Sequence, residues 1–192
     1  RRFIDHSKFF PAEFIETNYM RAGLDHGRIW RVVPKGLSSQ KIEPLPGSRS
    51  ELVKLLESKI GWQRIHAQRL LIERNAKDVI PEIKDLLENS SFAQGRLHAL
   101  WTLHGLGTLS DEQIAAALND PDSGVIENSI TLAESTIHSQ RLLELAASGT
   151  SRLSFLATLA LGSSAVHPAN LSEILLKLLK NDGLSDAWIR KA

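Results

Sequence analysis

Five short segments along this chain share one apolar pattern, and their regular spacing restricts the fold more than any other feature. They are LVKLLES (52–58), IKDLLEN (83–89), IAAALND (114–120), LLELAAS (142–148) and LLKLLKN (175–181), and their first residues lie 31, 31, 28 and 33 positions apart. Apolar residues at i, i+3 and i+4 form one stripe of a helix. A repeat of this length is typical of proteins in which each unit buries its apolar face only against its neighbours.

A second set of helical patterns alternates with the first. These patterns occupy 61–74, 95–107, 123–135, 151–163 and 186–192. We name the helices of the first set A helices and those of the second set B helices. Ser48 with Glu51 and Ser110 with Gln113 have the spacing of a capping box before an A helix, and Pro81 suits the first turn of another. The sequence therefore predicts an all-α fold over 48–192.

The beginning of the chain has a different pattern. Residues 1–36 hold seven Lys and Arg against four Asp and Glu, and 27–33 alternate apolar and basic side chains, which predicts a short strand within an irregular segment. Residues 37–47 contain Pro44, Pro46 and Gly47, which are typical of a linker. We therefore expect three parts: a segment over 1–36, a linker over 37–47, and the helical repeats over 48–192.

Composition excludes several kinds of chemistry. The 192 residues include no Cys, so disulfides, thiolate metal sites and a covalently attached haem are excluded within this chain. No familiar catalytic or phosphate-binding motif occurs, and we expect no catalytic residue, metal or cofactor here. No apolar run is long enough to span a membrane. Because the chain begins without Met and its last helical pattern is cut short, we expect it to be a piece of a longer protein.

The repeats resemble the short form of the HEAT family. The resemblance rests on Trp62-x-Arg64-x-x-Ala67, on Arg96-x-x-Ala99-x-x-x-Leu103 and on Ile189-Arg190, which are similar to the start of a HEAT B helix. It implies a right-handed α-solenoid of about five helix pairs, the last one truncated. The third and fourth pairs depart from this pattern, and Val125-Ile126-Glu127 of the third pair lacks the Arg, which interrupts any continuous ladder of Arg side chains.

Residues 1–35 resemble the closing segment of the β-propeller in multidomain bacterial, membrane-bound dehydrogenase-like proteins related to glucose/sorbosone dehydrogenases. The stretches that carry the resemblance are RFIDH (2–6), FFP (9–11), AGLDHGRIWRV (22–32) and PKG (34–36). In that group the propeller precedes HEAT-like repeats, often followed by a haem-binding domain. The resemblance implies an exported, periplasmic parent protein, and any haem would lie elsewhere in that parent.

Certain B-helix residues are candidates for binding a partner protein: Trp62, Arg64, Arg96, His98, Trp101, Arg152 and Arg190. Tryptophan and arginine carry much of the binding energy at protein interfaces. The Arg residues have a structural interpretation as well, in which each pairs with an acidic residue of an adjoining turn, such as Asp78, Asp120 or Asp182. The repeats carry slightly more acidic than basic residues, which favours that interpretation.

Three functions follow as hypotheses. The first is a non-catalytic interaction or scaffold module, whose partner is another domain of the parent or another exported protein. The second is part of an oxidoreductase, in which His6, Asp25, His26 and Arg28 contribute to an active site in the missing propeller and haem domains. The third is a HEAT-type nucleic-acid binder, which the formal charge of +1 disfavours.

Overall fold

A computed structural model of the chain describes residues 10–17, 36, 44–133, 137–148, 150–162, 172 and 176. The chain divides into two compact units, 1–43 and 44–192. In the first unit the structure describes one helix, α1 (Ala12–Thr17), and the ring of Phe10 stacks on that of Phe14 with centroids 5.1 Å apart. The predicted strand at 27–33 lies outside the described residues.

The second unit is built from helices joined by short turns. They are α2 (Arg49–Leu55), α3 (Gly61–Glu73), α4 (Ile80–Asn89), α5 (Ala93–Gly105), α6 (Asp111–Ala117), α7 (Ser123–Leu132), α8 (Ser139–Ser148) and α9 (Ser151–Gly162), with a 3-10 helix (Lys77–Val79) before α4. Across the described ranges of the chain no strand occurs, which confirms the all-α prediction for 44–162. The even-numbered helices are the predicted A helices, and α3, α5, α7 and α9 are the predicted B helices.

Contacts between these helices follow chain order. Each A helix contacts the B helix that follows it, and each B helix contacts the next B helix: α3 with α5, α5 with α7, and α7 with α9. Among the described helices, contacts between neighbouring B helices are more extensive than those between neighbouring A helices. The B helices therefore form a row in chain order, which we call the B row.

Four small side chains, one in each described B helix, are completely buried, and we call them the column of small residues. One completely buried small residue occurs in each B helix, and the intervals between them are 32, 30 and 28 residues: Ala67, Ala99, Ser129 and Ala157. The hydroxyl of Ser129 donates a 2.8 Å hydrogen bond to the carbonyl of Val125 within its own helix, so its burial leaves no polar atom unpaired. Small side chains allow helix backbones to approach each other closely.

Helix ends agree with the sequence in most places. The capping box of Ser110 and Gln113 is present, Pro81 lies in the first turn of α4, and Gly107 ends α5 with a φ of 67°. The prediction for Ser48 was wrong in one respect. Ser48 is the N-cap of α2, but its side chain accepts no capping hydrogen bond.

We predict that Ala99→Leu lowers the free energy of unfolding by about 1–3 kcal/mol, because a larger side chain in a filled space forces its neighbours apart. Ala115→Leu is the control, since Ala115 lies exposed on α6. Urea denaturation of both variants measures the difference. Equal stability of the two variants would show that the space around Ala99 accommodates a larger side chain without strain.

Candidate partner-binding face

Arg96 and Asp120 join the second helix pair to the third. The Nε of Arg96 donates to one carboxylate oxygen of Asp120 and its Nη2 to the other, both at 2.7 Å. The remaining Nη1 donates to the carbonyl of Ser90 at 2.8 Å, and Asp120 also accepts from the amide of Asp122 at 2.8 Å. The two side chains are only 11% and 9% exposed. Arg96 therefore acts as a clamp between successive turns, as its structural interpretation predicted.

Arg64 occupies the same place in the first pair but has a different partner. Its Nη1 donates to the carbonyl of Ser58 at 2.6 Å, as Arg96 does to Ser90 six residues before it. Instead of a carboxylate, the next pair presents the ring of Phe92, whose centre lies 5.6 Å from the Arg64 guanidinium. The Nε of Arg64 is buried and has no hydrogen-bond partner among the described residues. Asp78, suggested as a partner for these arginines, pairs instead with Arg49 at 2.5 Å.

The Arg96 guanidinium changes the acidity of Asp120. Burial works to raise the pKa of the Asp120 carboxyl, but hydrogen bonds from Arg96 and from the amide of Asp122, with the positive charge of Arg96, outweigh it. The pKa of Asp120 therefore lies below its ordinary value, and that of Arg96 lies above its own, chiefly because of the hydrogen bond to Asp120. Both groups are held in their charged forms.

Three polar contacts cross from one B helix to the next. The Oε1 of Gln68 on α3 lies 2.7 Å from the Nδ1 of His98 on α5, and the indole of Trp101 on α5 donates to Asn128 on α7 at 2.9 Å. Arg152 on α9 pairs with Glu127 on α7 at 2.7 Å. These contacts recur at each junction of the B row. Gln68, Glu127 and Asn128 were not singled out from the sequence, because nothing in the repeat pattern marks a polar residue that bridges two helices.

The solvent-facing side of the B row, which we call the B face, carries the exposed candidates. Trp62 is 38% exposed and Ile65 59% exposed, and the side chain of Arg152 is 74% exposed despite its contact with Glu127. Leu159 is exposed on α9. The candidates therefore separate into clamping residues and residues open to a partner, with Trp62 and Arg152 in the second group.

Burial and charge both act on His98. Desolvation lowers the pKa of its imidazole, and the positive charge of Arg64 lowers it further. The neutral imidazole is therefore the form that suits the α3–α5 junction. His104, by contrast, is exposed six residues further along α5 and meets the ring of Trp101 edge-on, with centroids 5.5 Å apart.

Some candidates lie outside the described residues. These are Arg190 and its suggested partner Asp182, together with the proposed contributors to a parent active site, His6, Asp25, His26 and Arg28. Their roles stay predictions.

Open clefts lie between the A helices. One of about 450 Å³ separates α2 from α4, and one of about 560 Å³ separates α4 from α6, with Arg96 and Asp120 among its lining residues. In the parts of the chain that the structure describes, no group of three or more His, Asp and Glu side chains is placed to hold a metal ion.

No protein-family model, curated protein or solved structure matches this chain. The described helices are all too short or too polar to cross a membrane.

We predict that Asp120→Asn lowers the free energy of unfolding by about 1.5–3 kcal/mol near neutral pH, because Arg96 loses its charged partner. Since the folded pKa of Asp120 is lowered, its stabilisation is complete above the ordinary aspartate pKa of about 4 and is lost as the pH falls through the folded value. The difference in the free energy of unfolding between Asp120→Asn and the parent should become smaller in strong acid. Urea denaturation over a pH series measures it, with exposed Glu88→Gln as the control. A difference independent of pH would contradict the ion pair.

We also predict that the His98→Gln variant loses less stability than the parent when the pH is lowered mildly. Because the folded pKa of His98 is lowered, its neutral form stabilises the fold fully above about pH 6.5, and this contribution is lost as the pH falls below that value. Glutamine can still meet Gln68 but takes up no proton. Unfolding midpoints measured between about pH 8 and pH 5 test this, with His104→Gln as the matched exposed control. Parallel curves for parent and His98→Gln would exclude the effect.

Proposed function

We propose that residues 48–192 form a HEAT-like, right-handed α-solenoid of about five helix pairs that serves as a non-catalytic interaction or scaffold module. The single observation that carries this proposal is the row of B helices, in which each helix contacts the next and a polar contact crosses at every described junction. Such a row is extended and repetitive, and it lets one partner engage several helices at once.

The B face would be the concave side of this solenoid. Closer contacts between B helices than between A helices, together with the open clefts between α2, α4 and α6, favour curvature toward the B helices. The concave surface is the one that stacked repeats usually present to a partner.

The composition of the B face favours a protein partner over nucleic acid. Its exposed residues include Trp62, Ile65 and Leu159. Arg96 is neutralised by Asp120, and Arg152 has Glu127 beside it. Nucleic-acid binding depends on cations free to neutralise phosphates. By its resemblance, we propose that the parent is a larger exported, periplasmic dehydrogenase-like protein and that the module positions its other domains or a second exported protein.

We predict that the immobilised chain captures the separately expressed remainder of the parent protein through the B face. Leu159→Ser combined with Arg152→Ser should weaken capture by about tenfold or more, as loss of a binding hot spot does. The matched control combines Ile137→Ser with Lys54→Ser, which removes one exposed apolar and one basic side chain away from the B face. Binding affinity is measured by surface plasmon resonance.

Equal capture by the two double variants would exclude the B face as the binding surface. Turnover of a dehydrogenase substrate by the chain alone would overturn the non-catalytic role.

A further inference from the structure

One repeat position is the residue immediately before the small buried residue of the column, namely His66, His98, Asn128 and Leu156. In α5 and α7 its side chain contacts the B helix before it. His98 bonds with Gln68 of α3, and Asn128 accepts from Trp101 of α5. At both places a polar side chain is paired by the preceding helix.

His66 holds this position in α3, the first B helix among the described residues. Its Nδ1 is buried and has no hydrogen-bond partner there, whereas the Nδ1 of His98 has Gln68 at 2.7 Å. A buried polar atom without a partner costs about 1–3 kcal/mol. Since His66 as a whole is partly exposed, rotation of its ring about the Cβ–Cγ bond exchanges Nδ1 with the outward edge.

An apolar side chain lies beside this unpaired atom. Trp62, one helical turn before His66, is 38% exposed and meets the imidazole edge-on with centroids 5.7 Å apart. Trp62, His66 and Glu73 lie along one side of α3, and we call this side the α3 edge. If a helix next to α3 were removed from the B row, it would leave an exposed indole beside an imidazole without a hydrogen-bond partner.

We propose that the α3 edge binds an amphipathic helix from another polypeptide, which lies against α3 as α3 lies against α5 and presents a Gln or Asn side chain to His66. Continuity with the α3–α5 and α5–α7 junctions supports this occupant, because both use a side-chain contact at the same position. The α3 edge shares Trp62 with the B face, but its contact with the docking helix centres on His66 and does not depend on binding at the rest of the B face.

The occupant must differ from α3 in one respect. At the α3–α5 junction a Cβ on Gly105 would lie 2.5 Å from the Cδ1 of Ile72, so Gly105 leaves room for that isoleucine. On α3 the corresponding residue, 32 positions earlier, is Glu73. The docking helix therefore needs a small residue where α3 has Ile72.

The probe is a synthetic peptide of residues 60–75 with Ile72→Ala, held helical by a hydrocarbon staple between positions 65 and 69, which are exposed in α3. We expect the full chain to bind it, with a shift of the His66 imidazole nitrogen signals in NMR and little change for His104. Gln68→Leu in the peptide, or His66→Leu in the chain, should each weaken binding by about tenfold, and the two together should weaken it little further.

Trp62→Ser provides a second variant that leaves His66 in place, and it should weaken binding as well. Ile137→Ser is the matched control and should bind as the parent does. Failure of the chain to bind the peptide, or equal binding by His66→Leu and parent, overturns the proposal. Concentration-dependent dimerisation that His66→Leu and Trp62→Ser both abolish would make a second copy the occupant and would overturn it too. If the B face captures no partner but the chain still binds the peptide, the proposed function fails and this inference stands.

Discussion

The close approach of the B helices is the constraint on which the rest of the structure depends. Each described B helix contacts the next one, and each completely buries one small residue: Ala67, Ala99, Ser129 and Ala157. Interiors pack tightly, so larger side chains at these positions would force the neighbouring elements apart. The polar contacts across the row, at 2.7–2.9 Å, require that nearness. Burial at the α3–α5 junction also lowers the pKa of His98.

The junctions are similar in geometry but differ in chemistry. Arg96 meets Asp120 in a nearly buried, two-point ion pair, whereas Arg64 at the corresponding place meets the ring of Phe92. A turn residue explains the difference: Ser90 precedes α5 where Asp120 precedes α7, and its hydroxyl bonds to Glu57. One repeat plan therefore yields one strong clamp and one weaker contact. Among the described residues, the buried Nε of Arg64 and the buried Nδ1 of His66 on α3 have no hydrogen-bond partner.

Local patterns predicted the described helices of 44–162 well. The apolar stripes, Pro81 and the Ser110 capping box act within a few residues of the chain, so periodicity and turn chemistry are sufficient to find them. The capping of α2 by Ser48 failed because a spacing of three residues does not fix a rotamer. For the candidate site, residue types directed attention to Trp62 and Arg152, but their exposure could not be known without the neighbouring helices.

The sequence by itself determined that helices alternate over 44–162, how far apart they begin and which side of each is apolar, because these properties depend on residues close together in the chain. Only the tertiary structure decided which polar groups meet. The pairs of Gln68 with His98, Trp101 with Asn128 and Arg96 with Asp120 join residues 24 to 30 positions apart. Such pairs depend on the relative rotation and separation of two helices, which buried side-chain volumes set jointly. Within the described part of the chain, the same packing leaves the Nδ1 of His66 without a hydrogen-bond partner, although His66 shares its residue type and repeat position with His98.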